Sequence, residues 1–294
     1  MDLFLKLLFK SLETGSVYAL AALGIVLIFK TSRTTNFAQG SIGTLNAFVA
    51  ATLLMKWDWS IWAATIAAII TAFISGILID RFIIRPASKA GAVSKQIITL
   101  GLIMVIIGII PMIFGVDPLR MTRFIAVSPE TQFTIFGSLV SYNAVFVIVV
   151  SISLMGLLFW FLKFTKWGLA IRVTASNEVT SRLMGVPTKS VTMASWATAA
   201  VFGTLAAIII APQGSVNPLM MTDVQVNAFF ACVLGGFGSF YGPVIGAYII
   251  AFSKSSAQFY LSDEWGNVMV YLIILGILFF KPYGLFGKKS QKKV

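Results

Sequence analysis

Apolar runs of about twenty residues recur from one end of this chain to the other. They cover approximately 13–29, 37–56, 60–80, 97–115, 142–162, 190–211, 224–236, 241–260 and 267–280. A run of that length crosses a hydrocarbon core of about 30 Å. In lipid every backbone N–H and C=O must be satisfied internally, which leaves helices and closed β-barrels. A barrel needs alternation of apolar and polar residues, and runs such as SISLMGLLFWFL (151–162) have none. The fold class is therefore all-α: a polytopic helical membrane protein of about eight or nine crossing or broken helices, with 1–294 as one transmembrane domain. Only 11% of the 294 residues are charged, where a soluble domain carries roughly a quarter.

A net charge of +12 raises the question of nucleic acid, and its placement answers it. Basic residues gather at Arg81, Arg85, Lys89 and Lys95, again at 163–189, and in a tail holding Lys281, Lys288, Lys289, Lys292 and Lys293. Such clustering marks cytoplasmic loops, so the expected surroundings are membrane lipid, with no nucleic acid. The opposite side takes 57–60, 116–141, 212–223 and 261–266, with most of the acids and with Trp57, Trp59 and Trp265 suited to the interfacial belt. Alternation then gives nine crossings and an external N-terminus. Lys6 and Lys10 fit that poorly, and MDLFLKLLFKSLETG (1–15) reads as a short amphipathic helix at the interface. A lone Cys232 and the lack of histidine exclude an internal disulfide and the usual zinc or haem sites; Cys232 reads as a small packing residue.

Two segments read as interrupted. Residues 37–56 open on NFAQGSIG, and 224–236 run only about 13 residues before GGFGSFYGP. Broken helices at membrane depth persist where their backbone is buried in protein or lines a polar cavity, and in carriers they come in pairs along the substrate path. Asn36, Gln39 and Ser41 are the candidate lining at the first break; Gly235, Gly236 and Gly238 would permit the second. Each has an equally good structural reading, as satisfaction of broken backbone or as a tight turn. Gly238, Gly242 and Gly246 recur every fourth residue, a face for close helix approach.

All ten acidic residues fall in loops or at the ends of these runs. No carboxylate is therefore expected at mid-membrane, where ion-driven carriers keep one. There is no phosphate-binding loop and no nucleophile–base pair to make an enzyme. Active transport by this chain would need energy from another subunit.

The stretch GLAIRVTASNEVTSRLMGVPTK (168–189) is a polar island amid these runs. It predicts a short helix over 176–184, with Ser176 or Asn177 as its cap and Glu178 complementing the dipole. Gly185 and Pro187 end it. At about 12 Å it cannot span. Ala175, Val179, Leu183 and Met184 form an apolar stripe, fitting a helix that floats at the headgroups or one that docks in a partner's groove.

With this island go GSVYALAALG (15–24), NFAQG (36–40), ACVLGGFGSFYGPVIGAYI (231–249) and PYGLFG (282–287). Together they resemble the integral-membrane permease of branched-chain amino acid ABC importers, within a wider group that includes urea and ribose permeases. The resemblance implies a permease subunit in a bacterial cytoplasmic membrane, taking up a small amino acid, branched-chain by preference. It implies two cytoplasmic ATP-binding subunits, a second and usually non-identical permease subunit, and an extracytoplasmic substrate-binding protein. The chain would hold no cofactor, ATP being bound by its partners. Carried over, 168–186 is the coupling segment, with Arg172, Ser176, Asn177, Glu178, Arg182 and Gly185 in ATPase coupling. Many relatives have His at the place of Gln39, which hydrogen-bonds but does not titrate. A urea or short-amide permease, a passive channel and a secondary carrier stay open as rivals.

Overall fold

The computed structural model describes residues 2–117, 119–135 and 138–287. Lys288, Lys289, Lys292 and Lys293 of the basic tail lie outside them. The helices are α1 (Asp2–Ser32), α2 (Gln39–Lys56), α3 (Ile61–Ile79), α4 (Ala92–Phe114), α5 (Tyr142–Phe164), α6 (Lys166–Ser176), α7 (Glu178–Leu183), α8 (Thr188–Ile210), α9 (Thr222–Gly235), α10 (Gly242–Tyr260) and α11 (Asp263–Phe280). Six, namely α1, α3, α4, α5, α8 and α11, are long and apolar enough to cross a bilayer. With α2, α9 and α10 they account for all nine apolar runs.

One local expectation is corrected. Residues 2–15 continue α1 instead of forming a separate interfacial helix, because no proline interrupts the run; the Ser11 and Ser16 hydroxyls are satisfied by carbonyls four residues earlier. The 116–141 segment holds a small antiparallel hairpin, β1 (Gln132–Ile135) with β2 (Ser138–Ser141).

α1 is the central post, buried throughout Val17–Leu23 and Ile25–Ile28, and it packs against α5, α8, α9 and α10. Lipid offers helices no hydrophobic drive to associate, so close approach through small residues does that work. A Cβ on Gly76 of α3 would sit 2.6 Å from the Ala197 Cα of α8, and Gly43 of α2 lies against the Gly203 carbonyl. The outer helices show apolar side chains outward, among them Ile66, Met112, Leu157 and Phe279, as lipid-facing surfaces do.

Contacts sort the helix ends into two groups. One end gathers the ends of α1 and α3, the starts of α4 and α8, the α6–α7 loop and the α9–α10 turn, tied by Lys30, Arg33 and Arg85. It carries most of the described Lys and Arg residues, and by the charge rule it is cytoplasmic. The other gathers Lys6 and Lys10 with Gln258 and Asp263, and Met55 with Arg120.

The bundle contains an inverted repeat. Asn46-Ala47-Phe48 recurs as Asn227-Ala228-Phe229, and both asparagines are buried. Each donates its Nδ2 to the carbonyl four residues back at 2.8 Å, Ile42 in one case and Asp223 in the other. α8 packs on α2 and α3 as α1 packs on α9 and α10, with each element running opposite to its counterpart.

Candidate coupling and translocation site

The polar island folds as two short helices at the basic end. Thr165 caps α6 by accepting from Gly168 N at 2.9 Å. Asn177, extended at φ −153°, caps α7 by accepting from Thr180 N at 3.1 Å. α7 is therefore Glu178–Leu183, shorter than 176–184, because Ser176 closes α6 and Asn177 breaks the run. Gly185 takes φ +82°, a conformation glycine adopts without penalty, and Val186 N returns to the Ser181 carbonyl at 3.0 Å. Glu178 and Arg182 pair at 3.2 Å on the exposed surface. Val179, Leu183 and Met184 are 70%, 83% and 74% exposed, an apolar knob standing off the bundle.

Two arginines tie this loop to the membrane helices. Arg33, just past α1, donates to the Ala175 carbonyl at 2.6 Å and to Ser176 O at 3.3 Å, a cationic cap on the α6 C-terminus. Arg85, past α3, bonds Asp80 at 2.8 Å and the Lys189 carbonyl at 3.1 Å. Arg85 lines a cavity of about 370 Å³ together with Asp80, Lys95, Glu178, Arg182 and others. Arg172 donates to the nearby Lys163 carbonyl at 3.3 Å.

From Arg33 the chain turns back into the bundle to start α2 at depth. Asn36 accepts from Ala38 N at 3.0 Å and donates to Gln39 Oε1 at 3.2 Å. Gln39 Nε2 donates to the Ala199 carbonyl of α8 at 2.6 Å. Thr99 of α4 accepts from Phe37 N at 3.3 Å. Asn36 and Gln39 are fully buried; Asn36 satisfies the broken backbone at Ala38 N, and Gln39 bridges Asn36 to α8. Ser41, in the first turn of α2, is half-buried and is the most accessible of the three candidates.

The second interruption lies elsewhere than the glycines suggested. Gly235, Gly236 and Gly238 form the α9–α10 turn at the basic end, where Gly236 has φ +89° and Leu285 N bonds the Leu234 carbonyl at 2.8 Å. A Cβ on Gly236 would meet the Tyr283 carbonyl at 2.8 Å. The counterpart of the Gln39 break is the start of α9, where Gln225 Oε1 accepts from Gly40 N at 2.6 Å. The N-termini of two half-helices meet there.

One residue at this junction overturns the expectation of no carboxylate at depth. Asp223 accepts from the Tyr18 hydroxyl at 3.1 Å, and Tyr18 is the central residue of the Phe4–Ser32 span. Lys254, 9% exposed within α10, pairs with it at 2.7 Å. Sequence reasoning placed Asp223 in an external loop because the half-helix start was not visible. A lysine in the middle of the run 241–260 was the signal available to find the pair.

The family described as branched-chain amino acid transport system / permease component matches residues 7–278. The chain belongs to that family. It is 26% identical to the high-affinity branched-chain amino acid transport system permease protein LivH of Salmonella typhimurium, over 99% of this chain and 98% of that protein. It is 25% identical to BraD of Pseudomonas aeruginosa, a permease protein of the same description, with the same coverage. The ribose import permease protein RbsC of Escherichia coli is 24% identical over 91% of this chain and 83% of its own length. No solved structure matches. The permease is accordingly a multi-pass membrane protein, and its two broken half-helices are parts of a transport subunit.

Proposed function

We propose that this permease is a subunit of an ATP-driven importer for branched-chain amino acids. It works with two cytoplasmic ATP-binding subunits, a second permease subunit and an extracytoplasmic binding protein. ATP is bound and hydrolysed on the partners.

The observation that carries this reading is the exposed Val179–Leu183–Met184 knob, joined through Arg33 to the segment that closes the first break. In it, α7 docks in a groove of the ATP-binding subunit by its i, i+4 apolar pair, with Glu178 and Arg182 at the rim. Closure of the ATP-binding subunits moves α7. Arg33 transmits the movement to 33–38, the plug on the cytoplasmic side, buried from Thr34 to Asn36, while Arg85 transmits it to α3. The bundle then exchanges access between its two sides. Gly185 and Asn177 give the loop its geometry, and Ser41 lines the path above the plug.

The test is purification of the chain from its native membranes in mild detergent, with identification of what travels with it by mass. The proposal expects two nucleotide-binding subunits and a second permease, and a companion binding protein that binds leucine and valine in preference to urea. Recovery of the chain alone, intact and in good yield, would favour a channel or secondary carrier.

A further inference from the structure

Asp223 poses a problem that the coupling scheme leaves unsolved. Its side chain is 54% exposed while that of Lys254 is 11% exposed, and it stands beside the centre of α1. Lipid is not a plausible surround, since a charged Asp at mid-helix costs about 2.5–3.5 kcal/mol on insertion. The exposure therefore opens onto water or onto a polar partner surface.

The approach to it distinguishes the two re-entrant segments. Thr34, Thr35, Asn36 and Ala38 on the cytoplasmic side are buried. On the opposite side Gln213, Gly214, Ser215, Leu219 and Thr222 are exposed. Irregular backbone at depth that is not buried in protein lines a water-filled cavity. The exposed side of Asp223 is therefore the one away from the coupling loop, and the 33–38 segment lies on its other side.

The chemistry there suits a zwitterion. A carboxylate has about four acceptor sites, and three are taken by Lys254 at 2.7 and 2.9 Å and by Tyr18 at 3.1 Å. Met221 gives α9 no capping side chain; Thr222 N bonds the Leu219 carbonyl at 3.0 Å, and the next N–H groups and the positive dipole are left for an anion. The inverted repeat has neither charge: Ile42 is the counterpart of Asp223 by the paired Asn46 and Asn227 bonds. Fold symmetry does not require the pair.

Resting on the proposed importer reading, we propose that Asp223, Lys254 and the α9 N-terminus form a recognition point in the path for the α-amino and α-carboxylate groups of an amino acid. The ammonium group takes the free acceptor site of Asp223. The carboxylate meets the α9 amides and the Lys254 side.

Two variants of the assembled transporter test it. Thr222→Cys in a Cys232→Ala chain places one thiol beside the pair. A charged, membrane-impermeant thiol reagent added from the side opposite the coupling loop should label it, and loaded binding protein with ATP should slow labelling at least fivefold. No labelling, or a rate indifferent to substrate, overturns the proposal. Asp223→Asn, nearly isosteric, should lower amino acid uptake at least tenfold while ATP hydrolysis by the complex stays within twofold; uptake within twofold of wild type, or hydrolysis lost in parallel with uptake, also overturns it. If the unmodified complex shows no ATP-dependent uptake, the importer reading itself has failed.

Discussion

The Arg33 guanidinium donates to the Ala175 carbonyl at 2.6 Å, joining the end of the central helix α1 to the last turn of α6. Arg33 is also the first residue of the plug that leads to Gln39. One side chain thus bridges the surface loop and the first broken helix. Arg33→Gln should cost little stability, since the side chain is exposed and exposed charge interactions contribute at most about 1 kcal/mol. Uptake should fall at least tenfold while ATP hydrolysis by the complex continues. Parallel assays of transport and hydrolysis in proteoliposomes check this.

Leu183 is 83% exposed. Leu183→Glu should leave membrane insertion and unfolding temperature unchanged, a surface substitution staying within about 0.5 kcal/mol. It should also release the ATP-binding subunits during purification. Glu178→Arg breaks the pair with Arg182 at 3.2 Å, and should abolish uptake in a chain that still inserts. Normal uptake by either variant would remove α7 from the docking surface.

Gln39 sits between two glycines. A Cβ on Gly203 would lie 2.7 Å from its Nε2, and one on Gly24 would also clash with it. Gly203→Val should destabilise the detergent-solubilised protein by about 1–3 kcal/mol through overpacking. Gln39→Ala strands the buried Asn36 amide donor, at about 1–3 kcal/mol for a buried group left unpaired. Thermal unfolding measures both. Because Asn36 and Gln39 serve the backbone, substrate preference should not change.

Much of this architecture was legible in the sequence, and the reasons are physical. Every apolar run found in the chain corresponds to a helix, since the bilayer fixes both length and composition of a span. Asn177, Gly185 and Pro187 announced the short helix because capping is local chemistry. The depth of Asp223 was hidden because it depends on where a half-helix begins. Residues 211–221 reach Val216, bridged to Leu119, and turn back inward, which no local signal records. The glycines at 235–238 drew attention to a turn, while the interruption facing Gln39 begins at Met221, a residue with no breaker character.

The most direct test of the central claim is uptake of labelled leucine by membrane vesicles holding the assembled complex, with ATP and the ion gradients controlled separately. Uptake should follow ATP supply and persist when ionophores collapse every gradient. Uptake that vanishes with the gradients, or that runs undiminished without ATP, would contradict the account.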